Sequence, residues 1–93
     1  MLSDTYGYEI VATVWANGDE RALYKKMAYI YRTGAGNATQ QGATQDCITP
    51  VESDAGLEVT IGTITARFKV EVTGIAAENI NWKAHIEVKG ISE

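Results

Sequence analysis

The sequence predicts an all-β protein, an antiparallel β-sandwich of jelly-roll-like or Greek-key type with little or no helix. Apolar residues recur with period two along most of the chain, which marks strands with one buried face. Clusters of Gly, Asn and Asp punctuate these stretches as turns. With one proline and no strong helical segment, several short strands with turns between them favour a sandwich.

The first strand runs from Tyr8 to Ala16. Its even positions are Tyr8, Ile10, Ala12, Val14 and Ala16, and its odd positions Glu9, Val11, Thr13 and Trp15. Both sets carry apolar surface, so coverage on two sides is expected. Asn17-Gly18-Asp19-Glu20 then reads as a tight hairpin turn, because Asn-Gly takes positive φ readily. The next strand, Arg21 to Arg32, sets Leu23, Met27, Tyr29 and Tyr31 against Ala22, Tyr24, Ala28 and Ile30. A helix is the rival, since Leu23, Met27, Ile30 and Tyr31 recur at helical spacing. The β-forming Tyr29-Ile30-Tyr31 and the partner that the turn demands decide for a strand.

Thr33 to Asp46 is rich in Gly, Gln and Thr and reads as an exposed loop, with room for a short strand from Thr44. Cys47-Ile48-Thr49 extends that strand until Pro50 ends it. After the turn cluster Glu52 to Gly56, Leu57, Val59 and Ile61 face one way and Glu58 and Thr60 the other. Beyond Gly62-Thr63, Ile64, Ala66, Phe68, Val70 and Val72 oppose Thr65, Arg67, Lys69 and Glu71. After the Thr73 to Asn79 connection, Ile80, Trp82, Ala84, Ile86 and Val88 oppose Asn81, Lys83, His85 and Glu87. One face is oily and the other charged.

The chain has 93 residues, 45% hydrophobic and 22% charged, so it should fold as one domain spanning residues 1–93. A chain of this length hides roughly two-thirds of its unfolded surface, enough for one core with little to spare. The net charge of −4 argues against a nucleic-acid partner, which needs clustered Lys and Arg. The single cysteine, Cys47, excludes an intramolecular disulfide. No apolar run is long enough to span a membrane, and Met1 to Tyr8 lacks the pattern of a signal peptide. The expectation is a soluble chain made in a reducing cytoplasm.

The chemistry-bearing residues do not assemble a catalytic pattern. His85 shares its strand face with Lys83 and Glu87, but with no second histidine or cysteine, and Cys47 reads as a small buried hydrophobe. Glu52 and Asp54 offer two carboxylates without the spacing of a calcium loop. Glu71 and Glu87, on facing strands, alternate with Arg67, Lys69 and Lys83 as cross-strand charge pairs on a solvated face. Gly34-Ala35-Gly36 lacks the later glycine and Lys-Ser/Thr pair of a phosphate loop. The expectation is no enzyme, no metal and no cofactor. What remains is the aromatic set. Trp82 reads as a core anchor. If only one layer covers the sheet, Trp15 and Val11 form an exposed apolar patch of the kind that marks an interface, with Tyr29 and Tyr31 as further contact candidates.

Val70-Glu71-Val72-Thr73-Gly74-Ile75-Ala76-Ala77-Glu78-Asn79-Ile80-Asn81-Trp82-Lys83-Ala84, continuing to Val88, resembles the C-terminal β-module of tailed-bacteriophage virion proteins, common at the ends of tail-fibre and other appendage chains. Gly18-Asp19, Ala22 before Tyr24, Arg32-Thr33-Gly34 and Leu57-Glu58-Val59-Thr60 extend the likeness across Tyr8 to Val88. Tyr24 stands where these modules often carry tryptophan, and the module is usually part of a longer chain, whereas this one begins at Met1.

The resemblance implies fold-determining roles for four residues. Gly74 lets the chain leave its strand, Ile75 folds back as a lid, and Ile80 and Trp82 pack the core. It implies no catalytic residue. For a short acidic chain it implies a non-enzymatic virion structural protein, assembled in the host cytoplasm. A capsid decoration or cement protein bound to the major capsid protein comes first. A tail-fibre or baseplate module that reads host-surface glycan is the alternative. A homo-oligomer, a trimer among the arrangements, suits its spare aromatic surface.

Overall fold

The alternating segments fold as strands because each buries every second side chain while its backbone groups pair sideways. In the computed structural model, which describes residues 2–3 and 6–92, the strands are β1 (Tyr6–Gly18), β2 (Ala22–Arg32), β3 (Ala38–Asp46), β4 (Val51–Glu52), β5 (Glu58–Ile64), β6 (Arg67–Thr73) and β7 (Ile80–Ser92). There is no helix among the described residues, and every strand pairing is antiparallel. The chain is all-β and sandwich-like, as its alternation predicts.

The larger sheet has the order β3-β2-β1-β7, with β4 added to β2, while β5 and β6 form a hairpin of their own. Three consecutive strands thus lie side by side, and β7 returns to lie beside the first. The hairpin lies over one face of the larger sheet. Between them sit Ile10, Ala12, Val14 and Ala16 of β1, Ala22, Tyr24, Ala28 and Ile30 of β2, and Leu57, Val59 and Ile61 from the hairpin side. The β1–β2 register sets Ile10 beside Ala28, a small residue next to a large one, and Ala16 beside Ala22. Phe68, Val70, Ile75, Ile80 and Trp82 pack around this centre, each partly buried.

Tyr24 brings a polar atom into the core. Its hydroxyl donates to the Glu52 carboxylate and lies 3.1 Å from the Leu57 carbonyl. Burial, reinforced by Glu52, pushes this phenol well above the usual tyrosine range.

Several expectations change. Residues 38–46 are strand β3, not loop, because β2 supplies backbone partners that polar composition does not forbid. The Thr44 hydroxyl donates to the Ile61 carbonyl at 2.8 Å and the Ala38 N–H to Thr65 at 2.7 Å, tying β3 to the hairpin. The strand ends at Asp46, and Cys47 is exposed rather than buried. The β5–β6 turn falls at Thr65-Ala66, after Gly62-Thr63, with Thr65 at φ 51°. That shift sends Ile64 to the outside of the hairpin, opposite Arg67.

The Asn-Gly step is not the turn itself: β1 runs on through Gly18, which pairs with Ile80 of β7, and the chain bends at Asp19-Glu20. Gly18 has φ 148°, and a Cβ there would lie 2.4 Å from the Asn79 carbonyl oxygen. Gly74 has no positive φ. In its connection the left-handed residue is Ala77, at φ 64°. Glu71 and Glu87 do not face each other on paired strands, since β6 and β7 belong to different sheets. Ile86 and Val88 share the inner face with Ile10 and Ala12, yet they are 39% and 48% exposed. The β5–β6 hairpin does not reach over this half of β7.

Candidate functional site

On β1 the odd residues point away from the core, and the two flanking strands fix what lies beside each. In the order β7, β1, β2, the rows across the sheet read Ile91–Gly7–Tyr31, Lys89–Glu9–Tyr29, Glu87–Val11–Met27, His85–Thr13–Lys25 and Lys83–Trp15–Leu23. Val51 of β4 lies beside Leu23 and lengthens the last row. No second layer covers this face among the described residues. Coverage of β1 on two sides, expected from its apolar odd positions, is therefore not found.

Trp15 is 40% and Tyr29 45% exposed, while Val11 and Tyr31 are half-buried by their neighbours. The Tyr29 and Tyr31 rings sit 6.5 Å apart in a tilted pair. Gly7 makes room for them: a Cβ there would fall 1.9 Å from the Tyr29 hydroxyl oxygen, so the ring lies down across bare backbone. A flat ring on a sheet presents apolar area with little freedom left to lose on binding.

The face therefore brings together Val11, Trp15, Tyr29 and Tyr31, the four candidate contact residues. It adds Leu23, Met27, Val51 and Ile91, which the sequence reading did not single out. Leu23 and Met27 share the parity of Tyr29 and Tyr31, so their alternation already held that signal. Val51, just after Pro50, carried none. Glu9, Lys25, Lys83, Glu87 and Lys89 are interspersed, giving an apolar strip crossed by charge of both signs. No pocket is formed among the described residues.

The fold-motif residues lie elsewhere. Trp82 and Ile80 are half-buried against the core. Ile75 reaches back so that its Cδ1 lies 2.7 Å from where a Gly56 Cβ would stand. Gly74 is exposed, with only Ile80 near its missing Cβ, at 3.7 Å.

Loops converge at one end of the molecule. Asp19 and Asn79 exchange bonds, the Asp19 N–H donating to the Asn79 carbonyl at 3.0 Å and the Asn79 N–H to Asp19 Oδ2 at 2.8 Å. The Ser53 hydroxyl donates to Glu20 at 3.1 Å and accepts from the Arg21 N–H at 2.8 Å. Glu78 stands among these acids, with its Oε2 buried and unpartnered. Desolvation, then the nearby Glu20, Asp19 and Asp54 carboxylates, raise its pKa above the ordinary glutamate value. Even so, no group of three or more His, Cys, Asp or Glu side chains among the described residues is arranged to hold a metal ion.

His85 meets Glu87 at 3.4 Å with both side chains in solvent. No protein-family model matches the chain, and no curated protein or solved structure matches it either. The likeness to phage modules rests on the residues quoted for it.

Proposed function

We propose that this chain is a non-enzymatic virion structural protein of a tailed bacteriophage, a small decoration protein that seats its open sheet face on the capsid shell. The observation that carries the reading is that face: Trp15, Val11, Met27, Tyr29 and Tyr31 side by side on the larger sheet, uncovered among the described residues. Exposed apolar strips rimmed by charge are where protein partners bind, with aromatic anchors supplying most of the affinity. A face without a pocket among the described residues favours a protein surface over a small ligand, which calls for a concave site. A protein that binds only the assembled shell stabilises it by mass action. Exposed Trp15 and Tyr29 rings also suit stacking on sugars, which keeps host-glycan recognition by a tail-fibre or baseplate module as the second reading.

The test is cryo-electron microscopy of purified source particles, paired with binding of the chain to particles stripped of it. Density repeating over the shell with the outer face down is the expected result. Trp15→Ala should then weaken binding about thirtyfold, the loss of an anchor of about 2 kcal/mol. Density confined to tail or fibres moves the chain to host recognition. Absence from every particle overturns the virion reading.

A further inference from the structure

The two edges of the larger sheet are finished differently. Long regular edges invite pairing with another chain, and proteins usually blunt them with bulges, proline or a covering segment. At the β3 edge the register slips between Met27 and Tyr29, Gly42 takes φ 76°, and bonds to Ile61 and Thr65 tie the strand to the hairpin. The β7 edge shows no slip, no positive φ and no such tie among the described residues, and its charges, Lys83, Glu87 and Lys89, are of both signs. Its 13 residues pair with β1 in unbroken register, and no strand lies along its other side among the described residues. On its inner face Ile86 and Val88 remain open.

We propose that β7 is a self-association edge, and that its occupant is β7 of a second copy, antiparallel about a twofold axis through His85. The charges favour that register. Centred on His85, Lys83 stands opposite Glu87 of the second copy and Glu87 opposite its Lys83, giving two cross-strand ion pairs. On the inner face the same register sets Trp82 against Val88 and Ala84 against Ile86, twice over. Centring on Ile86 instead opposes Lys83 to Lys89, and centring on Glu87 brings two glutamates together. Both alternatives are penalised.

Such a contact is isologous, so it closes as a dimer and forms neither trimers nor filaments. The two open inner faces merge into one apolar strip under a continuous sheet. The two outer faces become a single platform on the opposite side. Pairing through β7 leaves the outer face free, so it does not depend on what docks there.

The test is light scattering behind size exclusion on the full chain across a concentration series, with circular dichroism as a check on folding. The expected species has twice the 10.1 kDa chain mass. Glu87→Lys should weaken the dimer about tenfold or more by opposing two pairs of lysines. The exchange Lys83→Glu with Glu87→Lys restores the pairs in reversed sense and should recover the dimer. Lys83→Glu alone opposes glutamates and serves if Glu87→Lys does not fold. A chain that stays monomeric at every concentration overturns the proposal. So does a trimer, a dimer indifferent to both single changes, or a folded exchange variant that remains monomeric.

Discussion

Strands β1 and β7 are alike in almost every local respect. Each has 13 residues, each alternates, and they pair residue for residue from Tyr6–Ser92 to Gly18–Ile80. Ile10 lies directly opposite Val88, on the same face of the same sheet. Yet Ile10 is 0% exposed and Val88 48%. The difference is made by what lies above and beside them. The β5–β6 hairpin and β2 enclose the middle of β1, while among the described residues β7 has neither a roof over Ile86 and Val88 nor a second neighbour. Alternation establishes which side chains share a face, but coverage depends on strands distant in sequence.

That contrast can be broken or sharpened by substitution. The largest effect belongs to Ile10→Ala, which leaves a cavity between the sheets and should cost about 2–5 kcal/mol. Its register partner Val88→Ala should cost less than about 0.5 kcal/mol in protein dilute enough to be monomeric. Urea denaturation measures both. Equal costs would show that something covers β7 in solution.

Next comes Gly18→Ala, where β1 meets the entry to β7. Both its φ of 148° and the Asn79 carbonyl oxygen oppose a side chain there, and backbone cannot swing aside as a side-chain tip can. A loss of about 1–3 kcal/mol is expected, read as a lower denaturation midpoint. A neutral result would mean that the β1–β7 junction is looser than its register implies.

The smallest effect lies just before β7, at Glu78. Its folded pKa is raised above 4.5, so the native state holds the proton more tightly than the unfolded chain does. Stability from this group is fully present below pH 4.5 and is lost as pH rises through the folded value. Glu78→Gln should therefore raise the melting temperature slightly near neutral pH and leave it unchanged in acid. A gain that persists in acid would assign the effect to packing rather than to charge.

Much of this architecture was legible in the residues. The strand character of β1, β2 and β7 follows from alternation, and the buried core of β1 and β2 is drawn from their even positions, Ile10 to Ala16 and Ala22, Tyr24, Ala28 and Ile30. The four candidate contact residues have one parity, which puts them on one face once the strands pair in register. What could not be read is tied to partners. β3 is strand because β2 offers it hydrogen bonds, although Gln40, Gln41 and Gly42 have little β preference of their own. The turn at Thr65 follows from the hairpin register, with Gly62 left inside a strand. Ile86 and Val88 look as buried as Ile10 in any window of sequence. Only the extent of the β5–β6 hairpin tells them apart.

The long register between β1 and β7 also governs the order in which the protein can be built. During synthesis β1 is made before the other described strands, while β7, which completes its pairing, follows all of them. Until then Ile10, Ala12 and Val14 sit on a strand with one edge unfilled, and the hairpin that roofs them is made only shortly before. Contacts of such wide sequence separation fold slowly, because loop closure is spent before packing returns it. A chain cut short in the Gly74 to Asn79 connection would leave the first strand open on the side reserved for β7, a ready template for a neighbouring chain.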